Sequence, residues 1–354
     1  MPLCTVAMRR EEVSINAPHA AGWSRRAFLG GLTLGGTAGL LGLHAGPVTA
    51  EPPPETTRLR LARNPGTCIA PYYLAKEFLP AEGFTDVQDV RMASGALSPK
   101  AVVAGDIDIA LNFSGPLITR VDAGDPLVIL AGIHVGCFQL FGGERVSAIR
   151  DLKGKTVAVT DLGSPEHVFL ASMAAHVGVD PRQNMRWVTH PFEESTRLLA
   201  EGTIDAVLAF PPQAQELRAR QVGQVVVNSL VDRPWSQYFC CMAYAQREFV
   251  RTHPVAIKRA LRAILKAAAV CSLEPERAAR FLVDEGYTKT YEYALETMKD
   301  VGYNRWREYD AEDTIRFYAL RLQEAGMIKA TPQKIIAQGT DWRFLHELKR
   351  ELKG

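Results

Sequence analysis

The chain reads as an α/β protein of two similar open-sheet lobes followed by a helical C-terminal region. Three observations predict this. The sequence repeats itself without gaps 97 residues on: Gly66-Thr67 recurs as Gly163-Ser164, Gly105-x-Ile107-Asp108 as Gly202-x-Ile204-Asp205, and Phe113 as Phe210. Each copy runs strand, Gly-Thr/Ser turn, helix, strand, helix, and then Gly-x-Ile-Asp into a short apolar strand, Ile107 to Leu111 or Ile204 to Leu208. Beyond Thr252 the pattern is mostly helical. A duplicated unit of roughly 100 residues implies two lobes, and two open sheets facing each other leave a cleft at their strand ends.

Each element has a local reason. Arg58 to Ala62 alternates basic and apolar residues, the period of a half-buried strand. Asn64-Pro65-Gly66-Thr67 turns it into a helix expected over Ala70 to Ala81. Ser94-Gly95-Ala96 opens a second helix, and Phe113-Ser114-Gly115-Pro116 a third. Leu127 to Ile133 is apolar throughout, which fits a strand buried on both faces. The turn Asp151 to Thr156 feeds a strand over Val157 to Thr160. At Ser164-Pro165 the serine caps a helix and the proline takes its first position. Val225-Val226-Val227 ends the second copy, and Asp232 to Tyr244 should cross back to the first lobe. Thr252-His253-Pro254 starts a long amphipathic helix to about Cys271, and Asp310 to Ala325 forms another.

Composition narrows the function. With 354 residues, 47% hydrophobic and 23% charged, the chain can bury two cores. A net charge of +2 leaves no electrostatic footprint for nucleic acid. Residues 1–50 read as an export segment: Ser24-Arg25-Arg26-Ala27-Phe28-Leu29 matches the twin-arginine pattern, an uncharged run follows to Leu43, and Val48-Thr49-Ala50 offers a cleavage site. The expected compartment is the periplasm. Cys4 would leave with that segment, and Cys68, Cys137, Cys240, Cys241 and Cys271 would stay. Without a Cys-x-x-Cys, and with vicinal Cys240 and Cys241 pointing to opposite faces of a strand, buried free thiols are expected rather than a disulfide framework. The histidines show no metal-ligand spacing, so neither metal nor cofactor is expected.

Four segments carry a resemblance: Ala70-Pro71-Tyr72-Tyr73-Leu74-Ala75, Val103 to Asp108, Asp151 to Val159, and Leu199 to Ala206. In that order and behind an export signal, they resemble the nitrate/sulfonate/taurine-type substrate-binding proteins of ABC importers. That superfamily also contains pyrimidine-binding proteins and the fungal thiamin-pyrimidine synthases. The resemblance implies a type II periplasmic-binding fold in which two hinge strands join the lobes. Lobe one would then comprise 51–138 and 239–354, and lobe two 139–238. It also implies a monomer that hands a small organic ligand (sulfonate-, taurine- or pyrimidine-like) to a membrane permease and its ATPase. The chain departs from the family at Phe210-Pro211, where Trp often precedes the proline. It also has only Tyr238-Phe239-Cys240-Cys241 where the synthases carry a Cys-Cys-Cys-Phe-Cys run, which argues against synthase activity.

The expected cleft is lined by loops at the strand ends. Lobe one supplies Thr67, Cys68, Tyr72, Ser94, Phe113 and Ser114, with Cys137 and Phe138 near the hinge. Lobe two supplies Ser164, His167 and Phe210, and the return crossing adds Trp235 and Tyr238. Helix starts after Thr67 and Ser164 should aim backbone N–H groups at an acceptor group. None of these positions is Arg or Lys, which disfavours a multiply charged anion. Two other functions stand beside transport. One is a sensor of the same fold that presents its ligand to a receptor. The other is an enzyme that uses Cys68 as nucleophile with His167 as its base.

Overall fold

The computed structural model describes residues 51–353, so the expected export segment lies outside the described residues. Ten strands run in chain order: β1 (Arg58–Arg63), β2 (Asp86–Arg91), β3 (Ile109–Phe113), β4 (Leu127–Val135), β5 (Gln139–Gly142), β6 (Thr156–Val159), β7 (Arg186–Thr189), β8 (Ala206–Ala209), β9 (Gln224–Asn228) and β10 (Phe239–Gln246). They form two sheets of five, ordered β2-β1-β3-β10-β4 and β7-β6-β8-β5-β9. The orders correspond one to one when β1–β4 are set against β6–β9. In each sheet the fourth place goes to a strand that has crossed from the other side of the hinge. β10 is antiparallel to β3 and β4, and β5 is antiparallel to β8 and β9. This is the periplasmic binding protein fold, with two lobes.

The repeated Gly-x-Ile-Asp has a mechanical role in both copies. Gly105 and Gly202 take φ of +78° and +70°, which end the preceding helices in the left-handed region that favours glycine. The aspartate then clasps the neighbouring strand. Asp108 Oδ2 accepts from the Arg60 N–H at 2.6 Å, and Asp205 Oδ2 accepts from the Thr156 N–H at 2.9 Å. A guanidinium closes each clasp, Arg60 on Asp108 at 2.6 Å and Arg145 on Asp205 at 2.7 Å. The motif is therefore a fastening between strands and not a ligand site.

Two expected helices differ in extent. The first runs only from Ala70 to Leu74 and continues as 3₁₀ turns at Ala75–Glu77 and Pro80–Glu82, because Pro80 cannot donate to a continuing helix. The second begins at Ser98, with Pro99 in its first turn, rather than at Ser94. The long helix Pro254–Leu273 buries Ile257, Leu261 and Ile264 and packs against the Ala70–Leu74 helix. Asp310 caps the helix Ala311–Glu324 by accepting from Glu312 and Asp313 N–H groups. Among the described residues no helix is long and apolar enough to cross a membrane.

C-terminal helices also brace lobe two. The Ala311–Glu324 helix packs on Pro165–His176, where Arg321 Nη1 meets His176 Nδ1 at 2.8 Å. Gln215 Nε2 donates to Thr297 Oγ1 at 3.2 Å. Between the lobes the Thr67 N–H donates to the Pro211 carbonyl at 3.0 Å. The lobes are closed on one another.

Candidate functional site

Closure leaves a cavity of about 100 Å³ between the strand ends, walled from both lobes and the hinge. That is the scale of a buried apolar cavity of ~150 Å³ that takes up benzene. Phe113 at the end of β3 and Phe210 just past β8 both line it, and Phe138 stands between them at 5.5 and 5.7 Å between ring centroids. Gly66 and Gly95 let the walls approach: a β-carbon would lie 3.1 Å from the Phe210 ring at Gly66 and 3.1 Å from Pro165 at Gly95.

The polar part of the wall is rich in acceptors. Glu166, in the first turn of the capped helix Pro165–His176, is 4% exposed and lines the cavity. Its Oε1 takes both the N–H (3.0 Å) and the hydroxyl of Thr160, and the carboxylate has no basic partner. Asn64 donates through Nδ2 to the Leu111 carbonyl at 3.2 Å, while its buried Oδ1 has no hydrogen-bond partner. Asn112 is spent within the protein: Nδ2 reaches the Gly95 carbonyl at 2.7 Å and Oδ1 accepts from Phe113 N–H at 2.8 Å. No Arg or Lys lines the cavity.

Of the residues expected in the cleft, Cys68, Ser94, Phe113, Cys137, Phe138 and Phe210 line this cavity. The others lie elsewhere, each committed to the framework. Tyr72 is a core residue: its hydroxyl accepts from Ala62 N–H at 2.6 Å and donates to the Ile109 carbonyl at 2.7 Å, which ties β1 to β3. Thr67 is buried against Thr297, with hydroxyls 3.2 Å apart. Ser114 faces the Phe239 carbonyl at 3.5 Å. Ser164 caps its helix by accepting from His167 N–H at 3.3 Å. His167 turns its Nδ1 to Gly163 N–H at 3.0 Å and its ring edge to Trp187, and burial lowers its pKa to about 4. Trp235 is buried against Phe169 and His176, and Tyr238 stacks on Phe317 at 3.8 Å. The helix starts expected to aim N–H groups at an acceptor group are likewise otherwise engaged. One N–H, of Thr67, is used by Pro211, and the other helix start already carries the Glu166 carboxylate.

The expected partnership of Cys68 with His167 does not form either. Cys68 instead meets His134 and Cys137, with its thiol and the ligand atoms of the other two mutually within 4.8 Å. His134, Cys240 and Cys241 make a second such trio. The Cys137 and Cys240 sulfurs lie 3.3 Å apart, and those of Cys240 and Cys241 lie 4.0 Å apart. Hydrogen bonds from Cys137 and Cys241 hold the Cys68 thiol well below its ordinary range. Burial raises Cys240, but hydrogen bonds from the same two thiols outweigh it and bring its pKa to about 5. Those donors are raised in turn: burial dominates at Cys137, and the hydrogen bond to Cys240 at Cys241. His134 gave no sequence signal, since it sits near the end of β4 among apolar residues. Glu166, Asn64 and Thr160 were missed for a related reason: nothing in their local pattern separates them from cap and turn residues.

A search of curated proteins found no significant match. Among solved structures the chain is similar to the periplasmic nitrate-binding protein NrtA from Synechocystis PCC 6803, with TM-score 0.71, 17% identity, and coverage of 85% of this chain and 90% of that one. It is similar to the alkanesulfonate-binding protein SsuA from Xanthomonas axonopodis pv. citri, bound to MOPS, with TM-score 0.65, 16% identity, and coverage of 83% and 99%. It is also similar to the periplasmic aliphatic sulphonate binding protein SsuA from Escherichia coli, with TM-score 0.59, 18% identity, and coverage of 76% and 91%. The NMT1-like family model matches residues 52–282, well over half of the sequence. The chain therefore belongs to the NMT1-like family.

Proposed function

We propose that this protein is the periplasmic solute-binding component of an ABC importer, which closes its two lobes over a small organic ligand and delivers it to a permease and ATPase. The observation that carries this reading is the cavity between the lobes, walled by Phe113 from one and by Phe210 and Glu166 from the other. A ligand that touches both lobes favours the closed state by the contacts it gains there. The similar nitrate- and sulfonate-binding proteins support the transport role. The chemistry of this wall selects a different ligand. An anion would meet Glu166 with no Arg or Lys to compensate, so an alkanesulfonate or nitrate is disfavoured here, as is the sulfonate end of zwitterionic taurine. The unpartnered Asn64 Oδ1 and the Glu166 carboxylate ask instead for N–H donors on a compact flat body held by three phenyl rings. The ligand class is a neutral or singly positive nitrogen heterocycle or amidine, which keeps the pyrimidine-like option among those expected from the sequence. Calorimetry with aminopyrimidines against ethanesulfonate and nitrate tests it, and a preference for either anion would refute the assignment.

Catalysis is not part of this reading: the similar nitrate- and sulfonate-binding structures are of binding proteins, and the pairing of Cys68 with His167 that an enzyme was expected to use is not formed. Export through the twin-arginine route is part of it, supported by Ser24 to Leu29. Replacing Arg25 and Arg26 with Lys should hold the protein in the cytoplasm. Undiminished periplasmic accumulation of that variant would remove the route.

A further inference from the structure

The cluster of four thiols and one imidazole at the hinge is not used by the solute-binding reading. Its members come from separate places: Cys68 from the loop after β1, His134 from β4, Cys137 from the crossing to β5, and Cys240 and Cys241 from β10. All are buried, with His134 at 0% exposure and the least buried, Cys241, at 6%. Such a collection of polarisable, ionisable groups in an apolar core needs a reason.

The histidine supplies the sharpest clue. His134 Nδ1 lies 3.1 Å from the Gly136 carbonyl, a bond only a protonated nitrogen can make. The neutral ring then carries its lone pair on Nε2, and that atom is buried without a hydrogen-bond partner, in a ring that brings a nitrogen within 4.8 Å of the thiols of both trios. A backbone carbonyl holding one ring nitrogen so that the other can ligate is the outer-shell arrangement of metal-binding histidines.

The backbone adds a second. Cys137 takes φ of +142° directly after Gly136 at +61°, a conformation that a non-glycine residue adopts only where its surroundings hold it. It is held there by Ser229, whose hydroxyl oxygen accepts from Cys137 N–H at 3.2 Å and Phe138 N–H at 2.9 Å. The result places the Cys137 sulfur 3.3 Å from that of Cys240. Around a tetrahedral ion with metal–sulfur bonds of about 2.3 Å, sulfurs sit about 3.8 Å apart. The observed separations of 3.3 and 4.0 Å bracket that spacing.

We propose that His134 Nε2 together with thiolates drawn from Cys68, Cys137, Cys240 and Cys241 binds one thiophilic ion, Zn²⁺ or Cu⁺, at the hinge. Soft thiolates with one imidazole suit these two ions and exclude the oxygen-seeking Ca²⁺ and Mg²⁺. Each ligating thiol gives its proton to solvent as the ion binds, and no redox change occurs. Because Cys68, Cys137 and Cys241 also line the cavity, the ion would sit in its wall. The inference does not rest on the transport reading, and its test uses the metal alone.

The mature protein, reduced and metal-free, is titrated separately with Zn²⁺ and with Cu⁺ against chromophoric chelators, and with Co²⁺ as an optical probe. One equivalent should bind, with proton release, and the tighter of the two ions identifies the occupant. Co²⁺ should give a sulfur-to-metal charge-transfer band in the unaltered protein, a readout independent of how any variant folds. Cys137→Ser and His134→Gln should each weaken binding at least about tenfold, and Cys271→Ser, outside the cluster, should not. Folded, reduced protein that takes up none of these ions would overturn the proposal. So would binding indifferent to both variants, or a Cys137–Cys240 disulfide carried quantitatively by protein recovered from the periplasm.

Discussion

Tyr72 shows how a side chain can be read correctly as important and wrongly as to why, and Phe113 how one can serve cavity and core at once. The Tyr72 hydroxyl bridges two strands of one sheet, so Tyr72→Phe leaves the buried Ala62 N–H unpaired. The expected cost is about 1–3 kcal/mol of stability, read from denaturant midpoints, with ligand affinity unchanged. Phe113 lines the cavity but also packs on Phe169 at 4.7 Å and Tyr318 at 5.1 Å and is 2% exposed. Phe113→Ala should therefore lose about 3–5 kcal/mol of stability. Half-buried Phe210 is freer, and Phe210→Ala should cost mainly affinity, about 1–3 kcal/mol. Equal melting temperatures for the two variants would contradict this division. His167 answers to pH. Its folded pKa of about 4 lies below the ordinary 6.5, so protonation favours the unfolded chain. The stability due to its neutral ring is complete above about pH 6.5 and is lost as pH falls toward 4. His167→Gln should melt with a shallower acid slope over that interval, and an unchanged slope would show that other groups carry it.

At the scale of elements, the legible parts of the sequence were those with a local backbone requirement. The left-handed glycines, the Ser164-Pro165 helix start, the apolar β4 and the Asp310 cap each announce themselves over a few residues. The Gly-x-Ile-Asp repeat was legible as a repeat, but its purpose was not, because the strand that the aspartate clasps lies about fifty residues earlier in the chain in each copy. Asp108→Ala should cost about 1.5–3 kcal/mol, the worth of a hydrogen bond to a charged group. Most of that loss would come from the Arg60 N–H bond, since the Arg60 side chain is 27% exposed and its ion pair is partly screened. A urea midpoint unchanged in Asp108→Ala would refute the clasp. The thiol–imidazole cluster was illegible for the same reason at greater range. Its spacing in sequence matches no metal motif, and only the crossing of β5 and β10 between sheets brings its parts together. Glu166 was hidden in another way: an acidic residue in a first helical turn is ordinary, and only burial without a basic partner marks it out.

For the whole molecule, the duplication, the exchanged strands and the closed cavity belong to one design, in which two copies of a lobe meet where their strands end. The sequence showed the two lobes because the repeat is gapless. The helix starts pointed to an acceptor group on the ligand; in the structure one of them carries the Glu166 carboxylate in its own first turn, and the Thr67 N–H at the other is spent between the lobes. The central claim is that this closed cavity selects N–H donors through Glu166. Calorimetry of the purified protein and of Glu166→Gln, with an aminopyrimidine and with ethanesulfonate, tests it most directly. The account predicts heat from the aminopyrimidine alone, and a loss of about 2–5 kcal/mol, thirtyfold or more in Kd, in the variant. Tight binding of ethanesulfonate that Glu166→Gln leaves unchanged would contradict it.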